Sequence, residues 1–358
     1  MRIVHVLGTR PNFVKMAPLI AALRARMPEC EQVIVHTGQH YDRMMSQIFF
    51  EELGVPEPDH MLEVGSGSHA QQTARVMERL EPLLDDPRPD LVVVPGDVNS
   101  TLAAALTAVK MGIPVAHLES GLRSFDRTMP EEINRILTDA VSDQLYVHSE
   151  EALNNLSIEG ISPEKVHMVG NTMIDSLVAL EDRFRALEAC SNHDLRPGGY
   201  LLVTLHRPAL VDGPLLFEAV AALDRIAAEL PVIFPVHPRT RARLATEVAV
   251  GSGLHLVDPI GYLEFLSLEA DAGAVLTDSG GIQEETTYLG VPCFTLRDNT
   301  ERPVTVEQGT NVLLGLDPAR IDQIPKMLAD RPDRDATPPP LWDGKASQRI
   351  ADHIADLG

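Results

Sequence analysis

Short apolar runs rich in valine, isoleucine and leucine recur along this chain, and they constrain its fold more than any other feature. Each run is followed by a turn signal and then by residues at helical spacing, the pattern of buried parallel strands in α/β proteins. We predict one set of strands at 3–7, 32–36, 91–95, 114–118, 145–148 and 166–169, and a second set at 200–205, 232–236, 254–257, 274–276, 293–296 and 312–314. The two sets predict two similar α/β domains.

The stretch between the two sets is typical of a domain boundary. It covers 177–199, is polar and helix-like, and ends in Arg196-Pro197-Gly198-Gly199. At 358 residues the chain also exceeds the usual domain size of about 100–200 residues. We therefore expect a Rossmann-like, doubly wound N-terminal domain at 1–176 and a similar C-terminal domain at 200–340. A final helix within 341–358 could pack on either domain.

The charge of the chain argues against two classes of partner. Thirty Lys and Arg residues against 52 Asp and Glu residues give a net charge of −22, which repels nucleic-acid backbones and anionic lipid surfaces. No run approaches the ~20 apolar residues of a membrane span. We expect neither nucleic acid nor a membrane as a partner.

The cysteine residues and the N-terminal residues indicate the cellular compartment in which the protein works. Cys30, Cys190 and Cys293 are far apart, which argues against a disulfide framework or a thiolate zinc site. A predicted strand follows directly after Met1 and Arg2, which leaves no room for a signal peptide. We expect a cytoplasmic protein.

The loops after the strands are the candidate binding sites, because open α/β sheets bind ligands outside the carboxyl ends of their strands. Ser279-Gly280-Gly281 follows one strand and begins a helix that Gly290 can end. Two glycines let backbone N–H groups approach a phosphate at the positive end of a helix, so a diphosphate could bind here. The alternative is a plain turn with Ser279 as the helix cap. Glu285, on the same helix, could accept hydrogen bonds from ribose hydroxyls or lie exposed.

The loop after the first strand is Gly8-Thr9-Arg10-Pro11, and it lacks the G-x-G-x-x-G fingerprint of dinucleotide-binding folds. It offers instead two cations near a helix N-terminus, Arg10 and Lys15. They could bind an anionic ligand or form an ordinary surface pair.

Carboxylates follow two consecutive predicted strands, Asp97 after one and Glu119 after the next. Glu131 and Glu132 stand at a predicted helix start, where they could simply complement the helix dipole. Asp97 could equally serve as a turn or capping residue. If the acids converge, mutual repulsion and burial suit them for proton transfer.

His36 and His40 have the i, i+4 spacing that binds zinc on a helix. Thr37 and Gly38 instead place them at a strand-to-loop transition. We expect no metal site.

The ordered set of motifs resembles the non-hydrolysing UDP-N-acetylglucosamine 2-epimerases, collinearly from about residue 2 to residue 316. Any one motif is weak, but the set is highly specific. Its members are Gly8-Thr9-Arg10-Pro11, Lys15-Met16-Ala17-Pro18-Leu19, Thr37-Gly38-Gln39-His40, Gly96-Asp97, His117-Leu118-Glu119-Ser120-Gly121-Leu122-Arg123, Pro130-Glu131-Glu132-Ile133-Asn134-Arg135, Gly170-Asn171-Thr172, His206-Arg207, Pro235-Val236-His237, Thr277-Asp278-Ser279-Gly280-Gly281-Ile282-Gln283-Glu284-Glu285 and Thr300-Glu301-Arg302-Pro303.

The resemblance implies a fold of the glycosyltransferase-B type, with UDP held largely by the second domain and the sugar in the interdomain cleft. By position, Asp97, Glu119 and Glu131 match catalytic acids of the family. His206 matches a histidine near the diphosphate, and we include it among the catalytic candidates. The substrate-binding candidates are Arg10, Lys15, Asn134, Arg135, His237, Phe265, Ser279, Gly280, Gly281, Glu285 and Arg302.

The implied chemistry needs no cofactor. The C2 proton of an N-acetylhexosamine is weakly acidic, and no nicotinamide site is visible that would oxidise a neighbouring carbon. Elimination remains: a carboxylate removes the C2 proton while UDP departs from C1, and UDP then adds back to the 2-acetamidoglycal to give the manno epimer. We expect a homodimeric epimerase that supplies N-acetylmannosamine-type sugars for surface polysaccharides. An epimerase of a UDP-diacetamido sugar, a UDP-sugar-dependent glycosyltransferase and a UDP-sugar-binding protein remain as alternatives.

Overall fold

The structure, a computed structural model, describes residues 1–38, 52–244, 251, 253–331 and 337–358. It divides into two units, described separately below. Unit 1 comprises Met1–Ala179 and Pro340–Gly358, and unit 2 comprises Leu180–Pro339. Gln39 and His40 of the predicted Thr37–His40 loop lie outside the described residues, and so does the spacing of His36 with His40.

The described part of unit 1 contains a sheet of seven parallel strands in the order β3-β2-β1-β4-β5-β6-β7. The strands are β1 (Arg2–Leu7), β2 (Glu31–His36), β3 (His60–Met61), β4 (Leu91–Pro95), β5 (Val115–Leu118), β6 (Gln144–Val147) and β7 (Val166–Met168). The helices between and after them are α1 (Arg10–Arg26), α2 (His69–Asp85), α3 (Asn99–Lys110), α4 (Pro130–Val141), α5 (Glu150–Ile158) and α6 (Thr172–Arg185), and a 3₁₀ helix covers Pro163–Lys165.

The described part of unit 2 contains six parallel strands in the order β10-β9-β8-β11-β12-β13. The strands are β8 (Leu201–Thr204), β9 (Val232–Pro235), β10 (Leu254–Val257), β11 (Ala274–Thr277), β12 (Cys293–Thr295) and β13 (Asn311–Leu313). The helices are α7 (Pro208–Val211), α8 (Leu215–Ile226), α9 (Pro238–Leu244), α10 (Tyr262–Ala270), α11 (Gly280–Leu289), α12 (Val304–Glu307) and α13 (Ile324–Ala329), with 3₁₀ helices at Ala189–His193 and Pro318–Gln323.

Both sheets are buried on both faces, which explains why their strands are nearly continuous apolar runs. In β1, Ile3 and Leu7 belong to the core layer that contains α1, whereas Val4 and Val6 belong to the layer that contains α2 and α3. The predicted fold class, two Rossmann-like doubly wound parallel sheets of the glycosyltransferase-B type, is confirmed. Of the described helices, none combines the length and apolar character needed to cross a membrane.

The C-terminal helix, α14 (Ala346–Leu357), packs on α1 within unit 1. The Asp175 carboxylate accepts the backbone N–H groups of Ala346 at 3.1 Å and Ser347 at 2.6 Å, and so caps the start of α14. Trp342, just before the helix, is 2% exposed and donates its indole N–H to the carbonyl of His148.

The boundary stretch 177–199 contains the end of α6 and the 3₁₀ helix at Ala189–His193. The division between the units falls inside α6, and residues 180–199 group with unit 2. Leu195 and Tyr200 contribute to the core of that unit.

The strand order reverses direction between β1 and β4 in unit 1 and between β8 and β11 in unit 2. Such switch points are where doubly wound sheets bind ligands, because the loops that leave adjacent strands diverge there. The loops at the two switch points begin at Gly8, Gly96, Leu205 and Asp278. Most of the candidate residues lie in or beside these loops.

Candidate functional site

At the switch point of unit 1, the loop after β1 is held by a side chain of the next helix. Asn12 Oδ1 accepts the backbone N–H groups of Gly8 at 3.0 Å and Thr9 at 3.1 Å. Arg10 is the first residue of α1 and is exposed. The loop thus presents a cation to solvent from a fixed backbone.

Lys15 and Glu119 form an ion pair whose side chains are only 10% and 8% exposed. Gly96, in the loop after β4, makes room for it: a Cβ there would lie 3.3 Å from Lys15 Nζ and 3.5 Å from Glu119 Oε2. Glu119 itself has a φ of 65°, which is uncommon for a residue other than glycine and typical of functional positions. The alternative of an ordinary surface pair of Arg10 and Lys15 is therefore wrong, because Lys15 is buried and pairs with a carboxylate.

Asp97 is fixed by two residues of α4. Arg135 donates a hydrogen bond to its carboxylate through Nη1, and Asn134 Nδ2 donates to its backbone carbonyl at 2.9 Å. The Arg135 side chain is 2% exposed, while that of Asp97 is 30% exposed. Asp97 is thus the solvent-accessible member of the pair.

Glu131 and Glu132 have different environments despite being adjacent. Glu132 is 1% exposed and accepts hydrogen bonds from the backbone N–H groups of Ser124 at 2.9 Å and Phe125 at 2.8 Å and from Arg135. Burial raises the pKa of Glu132, but these hydrogen bonds and the charge of Arg135 lower it below its ordinary value overall. Glu131 is half-buried and has no hydrogen-bond or ion-pair partner within the described residues. Of the two acids, Glu131 is the one left available for chemistry.

A fully buried set of charges lies behind these loops. His117 Nδ1 is 2.7 Å from Asp139 Oδ1, and its Nε2 donates to the carbonyl of Gly96 at 2.7 Å. Arg123 Nη2 is 2.8 Å from Asp139 Oδ2. Burial raises the pKa of Asp139, but the His117 hydrogen bond and the charges of His117 and Arg123 lower it overall. Through His117, this set of charged residues connects Gly96, the residue before Asp97, to the end of β5.

At the switch point of unit 2, the first turn of α11 lies against a guanidinium group. A Cβ at Gly280 would overlap Arg302, so only glycine lets Arg302 approach so closely. Ser279 is the N-cap residue, as the alternative interpretation expected, but its hydroxyl makes no capping hydrogen bond. Unsatisfied N–H groups beside a guanidinium are suited to bind phosphate oxygens.

Carboxylates hold Arg302 in this position. Its Nε is 3.0 Å from Glu284 Oε1, and its Nη1 donates to Glu301 Oε1 at 2.9 Å. Glu301 also accepts a 2.7 Å hydrogen bond from Arg297. Burial raises the pKa of Glu301, but Arg302 and Arg297 lower it far below its usual range. Glu301 therefore stays ionised as a fixed anchor for these guanidinium groups.

Glu285 lies buried on α11, which contradicts the exposed alternative. Tyr262 of α10 donates to its Oε1 at 2.8 Å. Burial raises the pKa of Glu285 to about 7, with a further contribution from Glu284 and an opposing one from Tyr262. Phe265 lies half-buried on α10, which packs against α11. The two packed helices thus carry a carboxylate and an aromatic ring, two groups suited to a nucleoside.

His206 follows β8, and its Nδ1 is 2.9 Å from Oδ1 of Asp278, which follows β11. His237 is exposed after β9, the neighbouring strand of β8. Gly281 lies in the first turn of α11, partly exposed. His206, His237 and the first turn of α11 therefore lie at the carboxyl ends of three adjacent strands, β8, β9 and β11.

The sequence reasoning missed several residues of the site, among them Asp139 and Asp278. Asp139 follows Glu132 and Arg135 at the i, i+3, i+7 spacing of one helix face, a signal that a buried polar stripe was present. Asp278 belongs to the motif at 277–285, and its position directly after a strand could have identified it as a residue of the site.

Comparisons with known proteins extend over both units. The sequence model of a family described as UDP-N-acetylglucosamine 2-epimerase matches residues 22–355. A Methanocaldococcus jannaschii protein named UDP-N-acetylglucosamine 2-epimerase is 42% identical over 366 residues, which cover 98% of both chains. A Pseudomonas aeruginosa protein named UDP-2,3-diacetamido-2,3-dideoxy-D-glucuronate 2-epimerase is 41% identical over 100% of both chains. The crystal structure of the M. jannaschii enzyme in complex with UDP-GlcNAc and UDP matches with a TM-score of 0.90, 42% identity and 100% coverage of both chains. The similarity is therefore not confined to one unit.

Proposed function

Because the chain belongs to the UDP-N-acetylglucosamine 2-epimerase family and is thus an isomerase, we propose that it interconverts UDP-N-acetylglucosamine and UDP-N-acetylmannosamine. The observation that carries this proposal is the pair of carboxylates in unit 1. Asp97 and Glu119 follow adjacent strands, and each is paired with a buried cation. Two fixed carboxylates suit a reaction that removes a proton and returns one.

The chemistry that we propose is elimination followed by readdition. A carboxylate takes the C2 proton, the C2–H electrons form the C1–C2 double bond, and the C1–O electrons leave with UDP. UDP then adds back to the 2-acetamidoglycal, and C2 is protonated on its other face. The route requires neither a metal nor a nicotinamide, so activity should survive EDTA treatment without added cofactor.

In unit 1, we assign proton transfer to Asp97, Glu119 and Glu131, with Lys15 and Arg135 as the cations that hold Glu119 and Asp97 in place. Asn134 contributes by fixing the backbone of Asp97. Arg10, exposed beside this site, is assigned to the anionic substrate.

In unit 2, we assign UDP to the start of α11. The first-turn N–H groups, from Gly280 and Gly281, would bind the diphosphate beside Arg302, because preorganised donors stabilise charge as the C1–O bond breaks. Glu285 would accept ribose hydroxyls, and Phe265 would contact the uracil ring. Ser279, His206 and His237 lie on the same edge of the sheet and are assigned to the phosphates.

The test is NMR of the purified protein with UDP-N-acetylglucosamine in D₂O. We expect UDP-N-acetylmannosamine that carries deuterium at C2, and positional exchange of the bridging oxygen in ¹⁸O-labelled substrate. Product without C2 deuterium would exclude solvent-exchanging proton transfer. Transfer of the sugar to an added acceptor would indicate a glycosyltransferase, and free N-acetylmannosamine with stoichiometric UDP would indicate hydrolysis.

A second substrate is supported by one finding, the relative named as a diacetamido-glucuronate epimerase, which is 41% identical over its full length. The same elimination would apply, because the reacting C1 and C2 atoms have the same substituents. A direct comparison of kcat/KM for the two UDP sugars separates the two assignments.

We further propose a cytoplasmic homodimer that supplies N-acetylmannosamine-type sugars for surface polysaccharide synthesis. These assignments rest on the family resemblance. Light scattering should give a mass of two chains, and deletion of the gene should remove the manno-configured sugar from the surface polymer.

A further inference from the structure

His206 and Asp278 lie side by side because their strands are neighbours. β8 and β11 pair in parallel, with Thr204 opposite Thr277, and both residues lie just beyond the ends of these strands. The Asp278 side chain is 1% exposed and that of His206 is 61% exposed. A buried carboxylate thus supports an exposed imidazole.

The two oxygens of Asp278 have different partners. Oδ2 accepts the backbone N–H groups of His206 at 2.9 Å and Arg207 at 2.8 Å. Oδ1 faces the ring nitrogen Nδ1 of His206 at 2.9 Å, with a longer contact of 3.1 Å to the backbone N–H of that residue. Arg207 Nε donates to the carbonyl of Asp278, and Arg207 Nη2 lies 3.6 Å from Glu301. The carboxylate is therefore held in one orientation.

Asp278 is ionised in this environment. Burial raises its pKa, but the hydrogen bond and charge of His206 and the backbone N–H groups of Arg207 and His206 lower it overall. An ionised carboxylate only accepts hydrogen bonds, so the ring nitrogen that faces it must carry a hydrogen. No hydrogen bond to Nε2 is present among the residues that the structure describes.

We propose that Asp278 is a positioning residue that keeps hydrogen on Nδ1 of His206, so that Nε2 is the nitrogen offered to the diphosphate of the UDP sugar. The proposal rests on the proposed function, in which His206 contacts the leaving diphosphate. With hydrogen on Nδ1, Nε2 can donate to a diphosphate oxygen only in the imidazolium form of the ring, and the Asp278 carboxylate stabilises that cation beside the negative charge that develops as the C1–O bond breaks.

The test variant is Asp278→Asn, and its hydrogen bonding follows from the geometry. Two backbone N–H groups at the Oδ2 position require an acceptor, so the amide oxygen should take that place. The amide nitrogen then occupies the Oδ1 position and points its hydrogens at Nδ1. His206 should respond by carrying its hydrogen on Nε2, while the backbone of the loop keeps its acceptor.

The direct measurement is long-range ¹H–¹⁵N correlation of the His206 ring in ¹⁵N-histidine-labelled protein without ligand. We expect hydrogen on Nδ1 in the wild type and, in the neutral ring of Asp278→Asn, on Nε2. A wild-type ring with hydrogen only on Nε2 would overturn the proposal without any variant. Because this measurement involves no turnover, it is independent of whether the protein proves to epimerise UDP-N-acetylglucosamine.

A double-variant comparison tests whether Asp278 acts through His206. Asp278→Asn should lower kcat by about 10²-fold, as loss of a catalytic orientation does, but by less than about twofold when introduced into His206→Ala. Equal losses in both backgrounds would show a merely structural role and overturn the proposal. Asp322→Asn, in a surface ion pair with Arg225, serves as the control and should retain full activity.

Discussion

His117 Nδ1 and Asp139 Oδ1 lie 2.7 Å apart, and neither side chain has any exposed surface. On its other side, His117 donates to the carbonyl of Gly96, the residue before Asp97. The position of Asp97, a candidate catalytic carboxylate, therefore depends on an ion pair that is fully buried.

Asp139→Asn should test this dependence. Removing one charge of a buried pair should lower the free energy of unfolding by about 3 kcal/mol, because His117 would lose its counter-ion and Arg123 would keep only Glu159 among the described acidic residues. Urea denaturation measures this loss. The control is Asp352→Asn, which breaks the exposed pair with Arg26 and should cost less than about 1 kcal/mol. Equal losses in the two variants would contradict the assigned role.

Glu131→Gln and Glu132→Gln form a matched pair of adjacent variants. Glu131 has no described partner, so its variant should keep its stability and lose about 10²-fold in kcat. Glu132 binds Arg135 and two backbone N–H groups, so its variant should lower the unfolding temperature. Calorimetry and turnover on both proteins check this. A stable Glu132→Gln beside an unstable Glu131→Gln would reverse the assignment.

The affinity for UDP should depend on pH through Glu285, whose pKa is raised to about 7. The carboxylate is the better acceptor for ribose hydroxyls, so affinity should fall as pH drops below about 7, by up to tenfold per unit. The measurement is calorimetric titration with UDP from pH 5.5 to 8.5. UDP itself binds a proton in this range, so the informative quantity is the difference in slope between the wild type and Glu285→Gln. Identical slopes would remove Glu285 from the ribose site.

Gly280→Ala should weaken UDP binding about 10- to 100-fold, because the new Cβ would displace the guanidinium of Arg302. The matched control is Gly213→Ala, whose Cβ would have its nearest neighbour at 3.9 Å. Calorimetric titration of both variants with UDP measures the two affinities. Wild-type affinity in Gly280→Ala would show that Arg302 does not contribute there.

Glu269→Gln should be more stable than the wild type at pH 7 to 8. Glu269 is fully buried on α10, and its carboxylate has no hydrogen-bond partner within the described residues. Burial, and next the charge of Glu285, raise its pKa well above the usual range. The unfolded chain releases this proton at pH ~4.3, so the native state loses stability as pH rises from there to the folded pKa.

Glutamine cannot ionise, so the greater stability of Glu269→Gln relative to the wild type should disappear near pH 4. Thermal unfolding across this range measures it. Glu264→Gln, a more exposed position on the same helix, should change the unfolding temperature little at any pH. A Glu269→Gln variant less stable than the wild type at pH 8 would contradict the argument.

Local patterns predicted most of the fold because each strand and its turn are encoded within a few residues. The predicted strand at 254–257 matches β10 in full, and Gly290, with a φ of 76°, ends α11 where expected. The two-residue strand β3 was missed, since His60 and Met61 are too few to show a period.

The site was predictable as a set of loops but not as a set of contacts. Strand ends mark which residues reach the edge of the sheet where ligands bind, and the candidates Asp97, Glu119 and Gly280 were chosen in this way. Lys15 and Glu119 are separated by 104 positions, and no local signal indicates which carboxylate a buried lysine will meet. The supporting role of Asp278 likewise depends on β8 and β11 being neighbours, which only the strand order reveals.

The place of α14 has a consequence for how the protein is made. Ile350, Ala351 and Ile354 complete the same core layer as Ile3 and Leu7, although all of unit 2 lies between them in the sequence. The ribosome therefore completes unit 2 before α14, the helix that covers part of the first sheet, has been synthesised. Until α14 has been synthesised, the first half of the nascent chain exposes an apolar face. Chaperones are therefore most able to bind the chain at this stage of synthesis.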